Sequence, residues 1–228
     1  MIKWLMFSTI SILLVMAGQA LQTTAASAPT LDPTSATVKI VRTWQRSDGQ
    51  AVYEVTEESL GTVIAPNLIL THDHFGIPFG ARAPGLLALG DNAQHSWRWR
   101  ATAAQLMAIN AGTGLIRLPN DLPVPAAPLA GDTDLQRLTA GSWLTVTYGD
   151  DNTQHLVQRN FQVIQVKDGI ARLADPDRVI QAGDSGGGAY FNGKLIGNIW
   201  SINLDGAQRA AGSFNVALLP SQAQTYVK

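Results

Sequence analysis

Residues 183–188 read Gly-Asp-Ser-Gly-Gly-Gly. Glycine loses more backbone freedom on folding than any other residue. Glycines crowded around one serine therefore mark a turn whose backbone must approach something closely. A serine hydroxyl is a weak nucleophile at neutral pH until a base stands within hydrogen-bond reach. Histidine suits that task because its imidazole titrates near neutral pH. The stretch GTVIAPNLILTHDHFG (61–76) ends in His72 and His74. Ser185 with an upstream histidine offers acyl transfer through a covalent intermediate.

The same residues fit other arrangements. Gly183, Ser185 and Gly187 also fit the G-x-S-x-G elbow, in which the histidine follows the serine. Here His72, His74, His95 and His155 all precede Ser185. His72-x-His74 has the spacing of two strand ligands to one metal, and neutral imidazole suits zinc. Phe75, Gly76 and Ile77 follow, not the Asp-His that such metallo-hydrolases carry. That reading also leaves residues 183–188 unexplained. A plain glycine-rich hairpin turn would favour the same Asp-Ser pair, but it does not account for the histidines upstream. His95, beside Trp97 and Trp99, reads as a rim residue on an alternating strand, and His155 as structural. Trp97 and Trp99 share one strand face and are expected to pack.

The elements that must position these groups are short. ATVKIVRTW (36–44), AVYEVTE (51–57), GTVIAP, NLILTH, GLLALG, HSWRWRATA and TGLIRLP are each bounded by Gly, Pro, Asn or Asp. This is the pattern of an all-β chain. A proline-rich connector, PNDLPVPAAPLAGD (119–132), separates them from SWLTVTY, HLVQRNFQVIQV, GIARLAD, GGAYFNG, KLIGNIWSI and GSFNVALL. No long segment has helical periodicity. The end, LLPSQAQTYVK, reads as a short helix opened by Pro220.

Of the 228 residues 46% are hydrophobic and 14% charged, so a folded core is expected. The net charge is −1 and there is no basic run, which argues against nucleic-acid binding. The absence of cysteine excludes disulfides, thiolate metal sites and a cysteine nucleophile. Lys3 followed by WLMFSTISILLVMAG and a small-residue tail reads as a secretory signal peptide over 1–28, with cuts conceivable after Ala20, Ala26 or Ala28. Kept uncleaved, the same run nearly reaches the length of a membrane anchor. Either way the remainder is expected outside the cytoplasm, secreted or periplasmic, with no membrane association of the mature form. Residues 29–36 form a Pro/Ser/Thr linker.

APNLILTHDHF together with GDSGGG resembles the trypsin-like (chymotrypsin-like) serine protease family. In that family the catalytic histidine closes a Thr-x-x-His stretch and the nucleophile sits in Gly-Asp-Ser-Gly-Gly. The match points to His74, not His72, as general base, and to Ser185 as nucleophile. It places the oxyanion hole at the N–H groups of Gly183 and Ser185. TGLIRLPNDLPVPAAPLA and GGAYFNGKLIGNIWSI resemble the family's inter-barrel connector and the strands after its serine. The resemblance thus implies an all-β fold of two antiparallel six-stranded β-barrels, with the active site between them and a short C-terminal helix. Residues 37–122 would form the barrel carrying His74, and 123–228 the barrel carrying Ser185. It implies a monomeric serine endopeptidase acting on protein or peptide, with no cofactor.

The chain departs from the family at four places. In GTGLIRL (112–118), Gly112 falls where the triad aspartate belongs. Three readings stay open: a catalytically degenerate binding module, a Ser-His dyad, or an acid from elsewhere. Asp91 in LGDNAQ and Asn110 are the candidates for the last. Asp73 is set aside on the ground that strand neighbours point to opposite faces. The second departure is in activation. The family's zymogens free an Ile-Val amino terminus to pair with the aspartate before the serine, here Asp184. Lys39-Ile40-Val41 offers such a cut, yet the glycines that follow it in the family are absent. The expectation is a site formed without processing, with Asp184 paired internally. Third, Gly188 replaces a common proline. Fourth, Val179, six residues before the serine, matches the floor of the specificity pocket and argues against a preference for Lys or Arg.

Overall fold

Strand β1 (Thr37–Ser47) buries Val38 and Ile40, alternate residues on one face, as period-two patterning requires. In the computed structural model the described residues are 32–47, 52–73, 82–90, 99–101, 106–110, 112–150, 155–207 and 210–227, with the side chains within 42–57, 82–110 and 221–222 excepted. All belong to the unit Leu31–Lys228. The proposed signal peptide and His95 lie outside the described residues. Among those residues no helix is long and apolar enough to cross a membrane.

After β1 come β2 (Val52–Ala65), β3 (Leu68–Thr71), β4 (Arg82–Gly90), β5 (Trp99–Ala101), β6 (Leu106–Asn110) and β7 (Thr113–Arg117). They form one antiparallel sheet in the order β5-β4-β1-β2-β3-β7-β6. That is seven strands, where the resemblance implied six. The Pro66-Asn67 turn joins β2 to β3, because proline presets a turn dihedral and removes a ladder donor. Val38, Ile40, Val63, Ile69, Ile116 and Leu118 meet in the core of this half.

The second half is a closed barrel in the order β10-β13-β12-β11-β8-β9. Its strands are β8 (Trp143–Gly149), β9 (Leu156–Lys167), β10 (Ile170–Ala174), β11 (Gly188–Phe191), β12 (Lys194–Leu204) and β13 (Ala210–Leu218). Closure removes free edges, and the inward residues of each strand fill the interior. Leu144, Val146, Phe161, Leu173, Ile196, Phe214 and Val216 do so. Phe161 meets Phe214 edge to face, with ring centroids 5.0 Å apart.

The connector joins the halves by backbone hydrogen bonds. Ala127 N–H donates to Val63 O, and Ala130 N–H to Leu195 O. Leu122 N–H donates to Pro66 O, and the connector's prolines, which cannot donate, still accept: Leu195 N–H bonds Pro128 O. It ends in the one-and-a-half-turn helix α1 (Asp132–Arg137), which the strand-by-strand reading did not anticipate. A third apolar cluster draws on both halves: Ile64, Leu68, Leu70 and Leu115 pack with Tyr190, Leu195, Leu219 and Ala223. Ala223 belongs to the closing helix, Ser221–Tyr226, which is 3₁₀ and opens at Pro220 as its N-cap. The fold is thus an all-β pair of packed β units, with the Ser185 turn and the end of β3 on facing sides of the junction.

Candidate active site

The nucleophile turn is clamped between the halves. The carbonyl of Ser185 accepts from Leu60 N–H (2.9 Å) and from the Ser59 hydroxyl (2.5 Å), both on β2. On the other side Gly186 N–H donates to Ile199 O and Ile199 N–H returns a bond to Gly187 O, each at 2.8 Å. The glycines follow from this clamp. A Cβ on Gly186 would lie 1.9 Å from Leu60 O and 2.4 Å from Thr71 Oγ1, and one on Gly187 would lie 2.2 Å from Thr147 O. Gly183 is needed for a different reason. Nothing lies within 4 Å of the place for its Cβ, but its φ is +105°, a backbone that side chains of L-residues rarely adopt. Gly188, the replacement for the family's proline, begins β11.

Ser185 itself is half-buried. Among the described residues, neither the Gly183 nor the Ser185 N–H donates to a backbone carbonyl. Two amides flanking one buried acid are therefore available to an incoming oxyanion. That acid, Asp184, is 5% exposed. Its Oδ1 accepts from Gly149 N–H at 2.7 Å and its Oδ2 from Gln181 N–H at 2.8 Å. These internal donors answer the expectation that Asp184 pairs inside the protein. Lys39, Ile40 and Val41 lie mid-strand in β1, opposite Leu60, Ser59 and Glu58.

Thr71, the last residue of β3, hydrogen-bonds Leu60 O through its hydroxyl at 2.7 Å. It is the residue Gly186 approaches, so the serine turn and the chain leading to the histidines meet through Leu60. His72 is buried at 6% exposure. His74 and Asp91, two expected site residues, lie outside the described residues. Asn110 ends β6 opposite Thr113, and its side chain is likewise outside them. Among the described residues no group of three or more His, Asp or Glu side chains could hold a metal ion.

The ground on which Asp73 is set aside does not hold. Strand alternation was the reason to set it aside, but β3 ends at Thr71 and Asp73 has 3₁₀ backbone. The two-face rule holds only along a pleated strand. Its Oδ2 accepts from Gly112 N–H at 2.8 Å, and its Oδ1 from the Trp200 indole N–H at 3.2 Å. A carboxylate therefore does reach the backbone of Gly112, the residue that stands where the aspartate is expected.

Gly112 is held from both sides. Its carbonyl accepts from Asn198 Nδ2 at 3.0 Å, and the Thr113 hydroxyl donates to Asn198 Oδ1 at 3.0 Å. Asn198 is fully buried on β12. A buried amide is tolerated when its donors and acceptors are paired, as here. Sequence reasoning missed Asn198 and Trp200. The available signal was a polar residue interrupting the apolar run LIGNIW.

Val179 packs against the core of the closed barrel. It lines a cleft with Tyr148, Asp177, Arg178 and Gln181. Asp175, itself buried, shapes this turn by accepting from Val179 and Ile180 N–H at 3.1 and 3.0 Å. Arg159 pairs with Asp177 at the rim. Burial pushes the Tyr148 phenol above its ordinary range, since the charged form is the one that desolvation disfavours. His155 is exposed at the start of β9, where its carbonyl accepts from Asp150 N–H.

No protein-family model and no curated protein matches the chain. Solved structures do resemble it. HL collagenase superposes with a TM-score of 0.62 at 17% identity, over 83% of this chain and 94% of that one. The inactive form of the Rv3671c protease gives 0.56 at 16%, over 86% and 90%, and comes from Mycobacterium tuberculosis. The scabies mite inactivated protease paralogue S-I1 gives 0.57 at 13%, over 86% and 95%. At these identities the likeness is one of fold, and the fold is the trypsin-like one.

Proposed function

We propose that this chain is a secreted serine endopeptidase that acts as a monomer on protein or peptide. Ser185 Oγ attacks the scissile carbonyl carbon while His74 takes its proton. The carbonyl oxygen becomes an oxyanion and accepts hydrogen bonds from Gly183 and Ser185 N–H. Collapse breaks the C–N bond, and His74 gives its proton to the leaving amine. Water then attacks the acyl ester with His74 as base, and Ser185 regains its proton.

The observation that carries this reading is the nucleophile turn. Its serine carbonyl is tied to β2, its following glycines to β12, and the amides of Gly183 and Ser185 have no backbone acceptor among the described residues. A harmless hairpin turn has no need of a Cβ-free approach within 1.9 Å of another strand's carbonyl. The bonds from Gly149 and Gln181 to Asp184 favour a site formed without release of a new amino terminus. Residues 1–28 would direct export.

Gly112 in the aspartate's place favours a second reading, a degenerate relative that binds without cleaving. Inactivated proteases are found among the proteins that share this fold. Labelling the chain from about residue 29 onward with a fluorophosphonate serine-hydrolase probe separates the two. The expected outcome is labelling that Ser185→Ala and His74→Ala both abolish. Folded protein that takes no label overturns the endopeptidase reading in favour of binding.

A further inference from the structure

We infer that Asp73 is the positioning residue of the catalytic pair, supplying from the segment after β3 the carboxylate that Gly112 does not. The inference rests on the endopeptidase reading above, and it commits to one of the three accounts that Gly112 left open.

The first ground is location. Asp73 Oδ2 sits 2.8 Å from the backbone nitrogen of Gly112, the residue from which the family's aspartate would project. A carboxyl group is thus brought to Gly112 by a different residue. The second ground is that position 112 has no room for an acid of its own. Its φ is +94°, and a Cβ there would lie 2.7 Å from Ala217 Cβ and 3.0 Å from Trp200 Cγ. An aspartate would need another backbone and a shifted Trp200. Glycine at 112 and aspartate at 73 are therefore two halves of one arrangement: the glycine clears the corner and offers its N–H to the carboxylate.

The third ground is preorganisation. A catalytic carboxylate works when its own orientation is held by further donors. Trp200 holds Oδ1, and Trp200 follows Ile199, the β12 residue bonded to the nucleophile turn on both sides. Asn198 fixes the Gly112 carbonyl. Three successive residues of β12 thus tie the acid corner and the serine turn to a single strand. A carboxylate offers about four acceptor sites, and the bonds from Gly112 and Trp200 anchor one on each oxygen. Acting through His74, the carboxylate accepts no proton. It selects the tautomer whose other nitrogen faces the serine, and it balances the imidazolium that forms. His72 is the other titratable side chain of the described part of this segment.

The rival role is a staple that merely ties the end of β3 to β12. The test is the rate of fluorophosphonate labelling against pH for the wild-type chain, Asp73→Asn and Ser185→Ala. The expected result is a loss of about 10⁴-fold in Asp73→Asn, the size found when a triad aspartate elsewhere becomes asparagine. The pH midpoint of labelling should also move downward, since the imidazolium loses its counter-charge. A wild-type rate and midpoint in Asp73→Asn, with Ser185→Ala silent, overturns the inference and leaves the endopeptidase standing. A slower rate with an unmoved midpoint means a staple and overturns it too. A wild-type chain that takes no label removes the endopeptidase reading and this inference with it. If Asp73→Asn does not fold, proton NMR of the wild-type chain decides. A far-downfield imidazole N–H resonance that His74→Gln removes supports the inference, and its absence overturns it.

Discussion

The turn at 183–188 and the corner at Asp73 and Gly112 each hold one polar group at the junction of the two β units. The turn does so with residues adjacent in sequence. Gly183, Asp184, Ser185 and Gly186 supply the left-handed backbone, the buried acid, the hydroxyl and the close approach within four positions. The corner assembles its parts across the chain, with Gly112 lying 39 residues from Asp73 and Trp200 lying 127 from it. A contiguous device is written in consecutive letters, because each residue's neighbours are fixed by the chain. A dispersed device needs only a carboxylate at a point in space, and more than one backbone position can supply it.

The comparison can be broken from the turn's side first. Gly186→Ala forces a methyl into Leu60 O at a φ of +88°. The expected cost is about 4 kcal/mol or more, read by urea denaturation, with loss of Ser185 labelling. A cost under about 1 kcal/mol would mean that the turn is not clamped on β2. The corner should be softer. Asn198→Ala leaves the Gly112 carbonyl and the Thr113 hydroxyl without their buried partner, at a cost of about 2 kcal/mol in the same assay. Labelling should slow without disappearing, because the turn keeps its own contacts.

The smallest effect belongs to a carboxylate in neither region. Asp134 is hydrogen-bonded by Lys194 Nζ at 2.9 Å and by Gly131 N–H at 3.0 Å, and together these hold it below the usual 3.8, the Lys194 bond most of all. A depressed carboxylate contributes stability that is present above its unfolded value and lost as pH falls through its folded one. Asp134→Asn should therefore lower the Tm slightly at neutral pH, and the difference should vanish once the pH has fallen below the folded value of Asp134. Its labelling rate should match the wild type. A labelling defect in Asp134→Asn would mean that the assay reads general stability, and it would weaken the contrast between turn and corner.

Much of the strand plan was legible in the chain. Short β-rich runs bounded by turn residues became β1, β3, β7 and β8, because strand-forming and turn-forming residue types are local signals. The serine turn was legible for the same local reason. The short helix α1 escaped notice because its six residues, DTDLQR, carry too few turns for a helical period to show. The seventh strand of the first sheet and the 3₁₀ geometry of the closing helix depend on pairing and docking. The ground for setting Asp73 aside does not hold, for a specific reason. The strand rule was extended two residues past Thr71, where pleating had already stopped.

The sequence alone determined that this chain is all-β, that Ser185 sits in a turn made for close approach, and that Gly112 cannot be an acid. Each of these is written in neighbouring residues, through periodicity, glycine spacing or the absence of a side chain. Only the tertiary structure decided that Asp73 meets Gly112 and Trp200, and that Asn198 locks the same corner. Those contacts join the end of β3, the start of β7 and the middle of β12. They exist because two β units pack their apolar residues against each other through Ile64, Leu70, Tyr190 and Leu195. Burial is indifferent to sequence distance, so what it brings together cannot be counted along the chain.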